Sequence, residues 1–149
     1  MFDKILIPTD GTDPANKAAR TGVELAAEHG STVHAMSVVE PMSLGRFTAG
    51  AKPASAEQGE AVEELRTAAM DAIDSVADMC EEQSIDVVEA LEYGKPDEVI
   101  INYAEEEGID AIVMGTHGRE GTERLIVGSV AEKVVRRSSV PVVTVRPSD

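Results

Sequence analysis

The stretch Asp110-Ala111-Ile112-Val113-Met114-Gly115-Thr116-His117-Gly118, followed by nine residues and then Gly128-Ser129, decides the expected fold. An apolar, strand-like segment leads through a glycine-punctuated loop into the helix-like run from Val130 to Arg137. Glycines let backbone N–H groups approach a ligand closely, and a helix N-terminus adds partial positive charge. The pattern indicates a loop that holds a phosphate chain. The same residues would also suit a tight turn in which Ser129 only caps the helix.

Strand-like and helix-like segments alternate on both sides of this stretch. Strands are predicted at Lys4–Ile7, Thr32–Val39, Asp86–Leu91, Asp110–Met114 and Val140–Val145. Helices are predicted from Thr12-Asp13-Pro14 to Gly30, from the capping box Ser55-Ala56-Glu57-Gln58 onward, from Pro96 to about Gly108, and from Ser129 to Arg137. This alternation predicts an α/β fold in which helices cover both faces of a parallel sheet. With no repeat or linker, residues 1–149 are expected to form a single domain.

The charge is unusually negative for a chain of 149 residues. There are 28 acidic against 13 basic residues, a formal net charge of −15. Such a surface repels nucleic-acid backbones and anionic membranes, so neither is expected as a partner. Lysine is scarce and the acidic residues are spread over the helices. This distribution favours a halophilic protein, adapted to a cytoplasm of high salt, over an ordinary acidic surface.

The sequence also predicts the cellular compartment of the protein. No apolar run approaches the roughly 20 residues that span a bilayer, and no signal peptide is visible after Met1. The one cysteine, Cys80, excludes an internal disulfide and fits a reducing environment. Cys80 falls on the apolar stripe of the longest helix, where a small buried side chain is expected. These observations predict a cytoplasmic protein.

Ligands of an open parallel sheet bind beyond the carboxyl ends of its strands, where the strand order reverses. The first strand ends in Pro8-Thr9-Asp10-Gly11, and the fourth ends in the glycine-rich loop. If these two strands are neighbours, both loops face one crevice. Asp10 would then accept hydrogen bonds from ribose hydroxyls. Asp10 and Thr9 would equally suit a turn in which they bond their own backbone.

Other common sites are absent from the sequence. Gly94-Lys95-Pro96 lacks the flanking residues of a P-loop, and no Gly-x-Gly-x-x-Gly follows a strand. The three histidines are too scattered for a zinc site, so no metal-ligating residues are assigned. No serine, histidine and acid can be argued to converge, so no catalytic residues are assigned either.

Taken together, these residues resemble the universal stress protein family. The resemblance rests on Pro8-Thr9-Asp10, on the Gly-x2-Gly-x9-Gly-Ser pattern that begins at Gly115, and on the closing segment from Ser139 to Pro147. It covers essentially the whole chain. It implies a Rossmann-like open sheet of five parallel strands in the order 3-2-1-4-5, with two helices on each side. Within this family, the glycine pattern marks the members that bind ATP.

The resemblance also implies contacts for the nucleoside. Asp10 would hold the ribose, with Pro8 and Thr9 near the base. The backbone of Val38 or Val39, at the end of the second strand, would bond the adenine.

Seven further positions complete the implied site: Met114, Gly115, His117, Gly118, Gly128, Ser129 and Val130. The methionine would pack by the nucleotide, the first two glycines would let the loop pass close to it, and Gly128, Ser129 and Val130 would present N–H groups and a hydroxyl to the phosphates. Mg²⁺, if bound, would be held through the phosphates. Some ATP-binding relatives carry arginine in place of His117, which leaves the choice among ATP, ADP and AMP open.

The family forms homodimers through its last strand, here Val140–Val145. An apolar edge strand is an aggregation hazard unless it is covered, so a homodimer is expected. The leading hypothesis is an adenine-nucleotide-binding, stress-response sensor or regulator that acts through a protein partner not yet identified. A slow ATPase or phosphotransferase that uses His117 as a base is one alternative. A nucleotide-free dimeric interaction module is the other.

Overall fold

The fold is described from a computed structural model in which residues 2–40, 56–116 and 128–146 are described. Strands and helices alternate along this part of the chain. Its elements are β1 (Lys4–Pro8), α1 (Asp13–His29), β2 (Thr32–Val39), α2 (Ala56–Glu82), β3 (Val87–Tyr93), α3 (Pro96–Glu106), β4 (Ala111–Gly115), α4 (Ser129–Arg137) and β5 (Val142–Val145). Each predicted strand and helix is therefore present, with shifts of a few residues at most ends. Ser55 and the segment from Pro41 to Ala54 lie outside the described residues.

The five strands form one parallel sheet in the order β3-β2-β1-β4-β5, which confirms the predicted topology. β5 begins at Val142 rather than at the predicted Val140. Ser138 folds the chain into a turn, because its hydroxyl donates to the Val140 carbonyl at 2.8 Å and accepts the Val140 N–H at 3.0 Å. Pro141 has no N–H to offer the sheet, and only its carbonyl accepts a bond, from Ile112.

α1 is delimited by its caps, as its sequence predicts. Thr12 is the N-cap, and its hydroxyl accepts the Ala15 N–H at 3.4 Å. Gly30 ends the helix in the left-handed conformation, with φ 66°. Gly22 lets the helix lie close to the sheet, because a Cβ atom there would stand 2.7 Å from Cδ1 of Ile7. The Thr12 cap and the close packing of Gly22 on Ile7 together determine where α1 begins relative to the end of β1.

Helices cover both faces of the sheet, and each face has its own apolar cluster. The cluster under α1 and α2 includes Ile5, Ile7, Val23, Val33, Val76, Cys80 and Val113. The cluster under α3 and α4 includes Leu6, Met36, Ile100, Ile112, Met114 and Val134. Burial raises the pKa of the Cys80 thiol to about 11, so this cysteine has the inert core role that its position predicts.

One buried polar pair lies on the α3 side of the sheet. Nδ1 of His34 on β2 is 2.7 Å from the Tyr103 hydroxyl on α3. His34 is only 4% exposed, and burial lowers its pKa, with Lys4 acting in the same direction and Glu107 opposing it. The histidine is therefore held neutral near pH 7, with a partner for one ring nitrogen.

The acidic residues lie mainly on exposed positions of the described helices. The outer surface of α2 carries Glu63, Glu64, Asp71, Asp74, Asp78, Glu81 and Glu82. Four ion pairs occur between described side chains, and three of them join residues of one helix turn or a neighbouring turn. Most acidic side chains of α2 therefore face solvent with no cation of the described residues within ion-pair distance. Adaptation to high salt stays a prediction.

Candidate functional site

The reversal of strand order places β1 and β4 side by side in the centre of the sheet. The chain leaves β1 for α1 on one face and leaves β4 for α4 on the other. A crevice therefore opens between the two connections at the carboxyl ends of the strands, which is where open parallel sheets bind ligands. The predicted site residues that the structure describes lie on the strands, on the turn after β1 and at the start of α4, at this end of the sheet.

The turn after β1 is closed by its own hydrogen bonds. Pro8 is the last residue of β1, and Thr9 follows it with 6% exposure. The Thr9 N–H donates to the Met36 carbonyl at 2.8 Å, and its hydroxyl accepts the Gly11 N–H at 3.1 Å. Gly11 has φ 81°, a conformation that favours glycine. Pro8 and Thr9 therefore shape the turn that presents Asp10.

The Asp10 carboxylate uses one oxygen to close the turn after β1 and keeps the other for a further partner. Its Oδ1 accepts the Thr12 N–H at 3.0 Å and the Thr12 hydroxyl at 2.5 Å. The same hydroxyl caps α1, so the carboxylate is coupled to the helix start. Oδ2 has no hydrogen-bond partner among the described residues. The turn role and the ribose role can therefore coexist in one side chain.

The end of β2 presents Val38 rather than Val39 to the crevice. The Val39 carbonyl accepts the Gly94 N–H at 3.0 Å, so the backbone of Val39 faces β3. The Met36 carbonyl faces β1, where it accepts the Thr9 N–H. Backbone groups alternate sides along a strand, so those of Val38 also point toward β1, beyond the residue at which β1 ends. They are placed to pair with a ligand lying over that end.

Three predicted site residues contribute to one apolar cluster. The side chains of Val38, Met114 and Val130 all belong to the cluster under α3 and α4. Met114 is 6% exposed, so it supports the floor of the crevice from within the core. Val99, in the first turn of α3, belongs to the same cluster. Its neighbour Gly94 must lack a side chain, since a Cβ atom there would stand 2.9 Å from the Val99 side chain.

The connection after β4 is joined at its two ends. Gly115 is the last residue of β4, and the Thr116 N–H donates to the Val145 carbonyl at 3.0 Å. The Thr116 carbonyl then accepts the Gly128 N–H at 2.6 Å. The start of α4 is thus held against the end of β4. His117 and Gly118 lie outside the described residues.

The first turn of α4 offers backbone donors to the crevice. Gly128 is the N-cap and has no side chain to cap the helix, and its carbonyl accepts the Glu132 N–H at 3.0 Å. Ser129 is the first helical residue and is exposed, so the interpretation of Ser129 as a cap is wrong. The N–H of Gly128 is already used by Thr116. The N–H groups of Ser129 and Val130 precede the first bond within the helix and have no partner among the residues that the structure describes.

Neither a metal-binding cluster nor a membrane-spanning helix is found among the described residues. No group of three or more histidine, cysteine, aspartate or glutamate side chains in residues 2–40, 56–116 and 128–146 is arranged to hold a metal ion. None of the described helices is both long and apolar enough to cross a membrane.

The chain is similar to known proteins over nearly its whole length. The model of the universal stress protein family matches residues 1–146. Universal stress protein MJ0531 of Methanocaldococcus jannaschii is 34% identical over 146 residues, covering 98% of this chain and 83% of that protein. Universal stress protein MJ0577 of the same organism is 30% identical over 155 residues, covering 98% of this chain and 96% of its own length.

Solved structures show the same fold. The structure of MJ0577 has a TM-score of 0.81 at 27% identity, covering 100% of this chain and 99% of that one. A universal stress protein solved in complex with cAMP has a TM-score of 0.68 at 20% identity, covering 99% and 98% of the two chains. One from Archaeoglobus fulgidus, in complex with dAMP, has a TM-score of 0.61 at 23% identity, covering 97% and 98%. With the family match, this fold and this strand order, the chain belongs to the universal stress protein family.

Proposed function

We propose that this protein binds an adenine nucleotide at the carboxyl ends of β2, β1 and β4, and acts as a cytoplasmic sensor or regulator in the stress response. One observation carries the proposal: the reversal of strand order brings to one crevice a carboxylate oxygen, a strand backbone and helix N–H groups that have no partner among the described residues. Each of these groups suits a different part of a nucleotide.

The nucleoside would lie over the ends of β2 and β1. The backbone of Val38 would pair with the adenine edge, because it is the backbone that faces the crevice. The ring would rest on the apolar surface to which Val38, Met114 and Val130 contribute. Oδ2 of Asp10 would accept from the ribose hydroxyls while Oδ1 holds the turn. Pro8 and Thr9 keep that carboxylate in place.

The phosphates would lie over the start of α4. The N–H groups of Ser129 and Val130 would donate to phosphate oxygens, with help from the helix dipole. Gly115 ends β4 beside the junction of Thr116 with Gly128 that brings these groups to the end of β4, and His117 and Gly118 are proposed to continue the site. A Mg²⁺ ion would be held through the phosphates, since the described residues offer no carboxylate cage.

The complexes of other universal stress proteins with cAMP and dAMP support an adenine nucleotide over other anions. The test begins with protein purified without added nucleotide, then denatured, with the supernatant analysed by ion-exchange chromatography. Isothermal titration of the purified protein with ATP, ADP and AMP follows. A bound adenine nucleotide or a saturable titration is the expected result. Empty protein that fails to bind all three nucleotides would favour the nucleotide-free interaction module.

We further propose that the protein forms a homodimer through β5, which would give the regulator a symmetric surface for a protein partner. β5 is the last strand of the sheet and is paired only with β4 among the described strands. Its residues Val142–Val145 carry no charge, and Val143 is 38% exposed. Such an edge is commonly covered by a second strand.

The dimer is tested by sedimentation velocity at micromolar concentration. Wild-type protein is expected to sediment as a dimer, and Val143→Lys as a monomer, because the lysine places a charge in the proposed interface. Val135→Lys, on the exposed face of α4, is the control because Val135 is also an exposed valine, at 52%. A monomeric wild type would contradict the proposal.

A further inference from the structure

The strand β3 forms the edge of the sheet opposite β5, and among the described strands it pairs only with β2. The Asp86 carbonyl, just before β3, accepts the Val33 N–H of β2 at 2.9 Å. The Gly94 N–H, just after β3, donates to the Val39 carbonyl of β2 at 3.0 Å. Backbone groups alternate sides along a strand, so every second residue between Asp86 and Gly94 points its N–H and carbonyl away from β2. These residues are Val87, Glu89, Leu91 and Tyr93, and their outward backbone groups have no partner among the described residues.

The side chains along this edge are both apolar and acidic. Val88 is 43% exposed and Tyr93 is 50% exposed, and they are two of the five large hydrophobic side chains that are exposed in the described part of the chain. Side chains alternate along a strand, so Val88 and Glu92 share the face of the sheet under α3. Glu89 and Tyr93 share the face under α2. Each face of the edge therefore offers one apolar and one acidic side chain.

The acidic side chains indicate which kind of strand would cover this edge. A second copy of β3 would bring like charges together across the new pair of strands, which is destabilising. The residues of β5 carry no charge, so β5 of another copy would offer no cation to Glu89 or Glu92. An extended segment with lysine or arginine opposite both acids would add two opposite-charge pairs to its backbone hydrogen bonds. The net charge of −15 also favours the approach of a cationic segment.

We propose that the free edge of β3 is a docking surface for an extended, basic segment of a protein partner, which adds to the sheet as a further strand. Cations of this segment lie opposite Glu89 and Glu92, and its apolar side chains lie against Val88 and Tyr93. β3 and β5 are at opposite edges of the sheet, so the proposed dimer leaves the β3 edge free in each copy. Docking uses none of the residues of the proposed nucleotide site, so it can be tested independently of that site.

An acetylated and amidated peptide of sequence VKTTKV tests the proposal. It places lysines opposite the two acids and valines opposite Val88 and Tyr93, and it reads the same in both directions, so it fits a parallel or an antiparallel pairing. Isotope-labelled protein is titrated with the peptide, and binding is followed by amide chemical shifts. The amides of Glu89 and Leu91, whose N–H groups point outward, are expected to shift most and to saturate, with weaker binding in about 500 mM than in about 50 mM KCl. The peptide VETTEV is the matched control and should not bind.

Two substitutions at Glu89 separate the charge from the backbone. Glu89→Gln keeps the outward N–H and should weaken binding of VKTTKV about three-fold at low salt, as expected for one exposed ion pair. Glu89→Pro also removes the N–H, at an edge position where proline is tolerated, and should weaken binding about ten-fold. Glu24→Gln, on the exposed surface of α1, removes one charge elsewhere and is the control for net charge. Circular dichroism checks that each variant is folded.

Several outcomes would overturn the proposal. The first is a wild-type protein that shows no saturable shifts with VKTTKV, or that binds VETTEV equally well. A loss in Glu24→Gln as large as in Glu89→Gln would overturn it too, since the effect would then be one of net charge. Shifts of the β3 amides that follow protein concentration without peptide would assign the edge to a second copy of the chain instead. None of these results bears on nucleotide binding, which is measured without peptide.

Discussion

The two connections that border the crevice are built in different ways. The turn after β1 depends on side chains, because the Asp10 carboxylate and the Thr9 and Thr12 hydroxyls make its hydrogen bonds. The junction after β4 depends on backbone, because Thr116 and Gly128 meet through a carbonyl and an N–H. Side-chain substitutions can therefore remove the hydrogen bonds of the turn after β1. The hydrogen bond of the junction after β4 is lost only when a substitution alters the backbone groups themselves.

The largest effect is expected from Asp10→Ala, which removes both the turn contact and the proposed ribose contact. Nucleotide affinity should fall about 30-fold by isothermal titration, in line with the roughly 1.5–3 kcal/mol of a hydrogen bond to a charged group. Asp10→Asn retains an oxygen for the Thr12 contacts and should lose less, about ten-fold, because the amide nitrogen that replaces Oδ2 can donate to a ribose oxygen although it cannot accept from the ribose hydroxyls. If Asp10→Ala bound nucleotide with wild-type affinity, the Asp10 carboxylate would have no role in binding.

A proline substitution tests whether the second region acts through its backbone. Ser129 is the first residue of α4, a position where proline is well tolerated, and Gly128 has ψ 150°, which suits the residue before proline. Ser129→Pro therefore removes one N–H while keeping the helix. Affinity for AMP and ATP should fall about five-fold, as expected for one lost hydrogen bond of roughly 1 kcal/mol.

Ser129→Ala is the matched variant, since it removes the hydroxyl and keeps the N–H. It is expected to bind nearly as wild type, and far-ultraviolet circular dichroism should show unchanged helix content in both variants. Ser129→Pro lacks both the hydroxyl and the N–H, so if Ser129→Ala loses as much affinity as Ser129→Pro, the hydroxyl rather than the backbone carries the contact, and the contrast between the two regions fails.

How far the sequence predicts this molecule depends on the range of the interaction. Caps are local, so the start of α1 at Thr12 and its end at Gly30 could be predicted from the residues themselves, whereas the strand order was predicted only through the resemblance to the family. The sequence could not predict whether Val38 or Val39 presents its backbone to the crevice, because this depends on which neighbouring strand each backbone faces. The start of β5 was missed because a serine turn and Pro141 interrupt an otherwise apolar run.

Contacts between residues far apart in the sequence could not be predicted from the sequence either. Lys17 and Arg146 are joined across 129 positions, and His34 and Tyr103 across 69. No spacing within the sequence indicates either pair. Both depend on helices being laid across specific strands, a consequence of the fold that becomes visible only once the topology is known.

Thr12→Ala should affect stability more than binding. The Thr12 hydroxyl caps α1 and donates to Asp10, so its removal is expected to lower the free energy of unfolding by about 1 kcal/mol, measured by urea denaturation. Nucleotide affinity should change little, since the Thr12 N–H still bonds Asp10. Thr21→Ala, within α1, is the control and should not lower stability, because alanine favours a helix interior. A large loss of affinity would show that the cap itself positions the carboxylate.

The smallest effect on binding is expected from the buried pair on α3, which lies toward the other end of β2 from the crevice. Tyr103→Phe leaves Nδ1 of His34 without its partner and should lower the free energy of unfolding by about 1 kcal/mol or more, with nucleotide affinity unchanged. A reduced affinity would show that the two connections are coupled to the whole α3 face.

The pH dependence of unfolding provides the second readout of this pair. His34 has a lowered pKa in the folded protein, so the unfolded chain binds a proton more readily, near its ordinary pKa of about 6.5. The stabilisation from neutral His34 is therefore complete above that pH and declines as pH falls through 6.5 toward the folded pKa. Urea denaturation between pH 7.5 and 5.5 should show stability falling more steeply in wild type than in His34→Phe, which has no proton to bind there. Parallel curves would assign the pH dependence to other groups, and would show that the end of β2 away from the crevice carries no pH-dependent element.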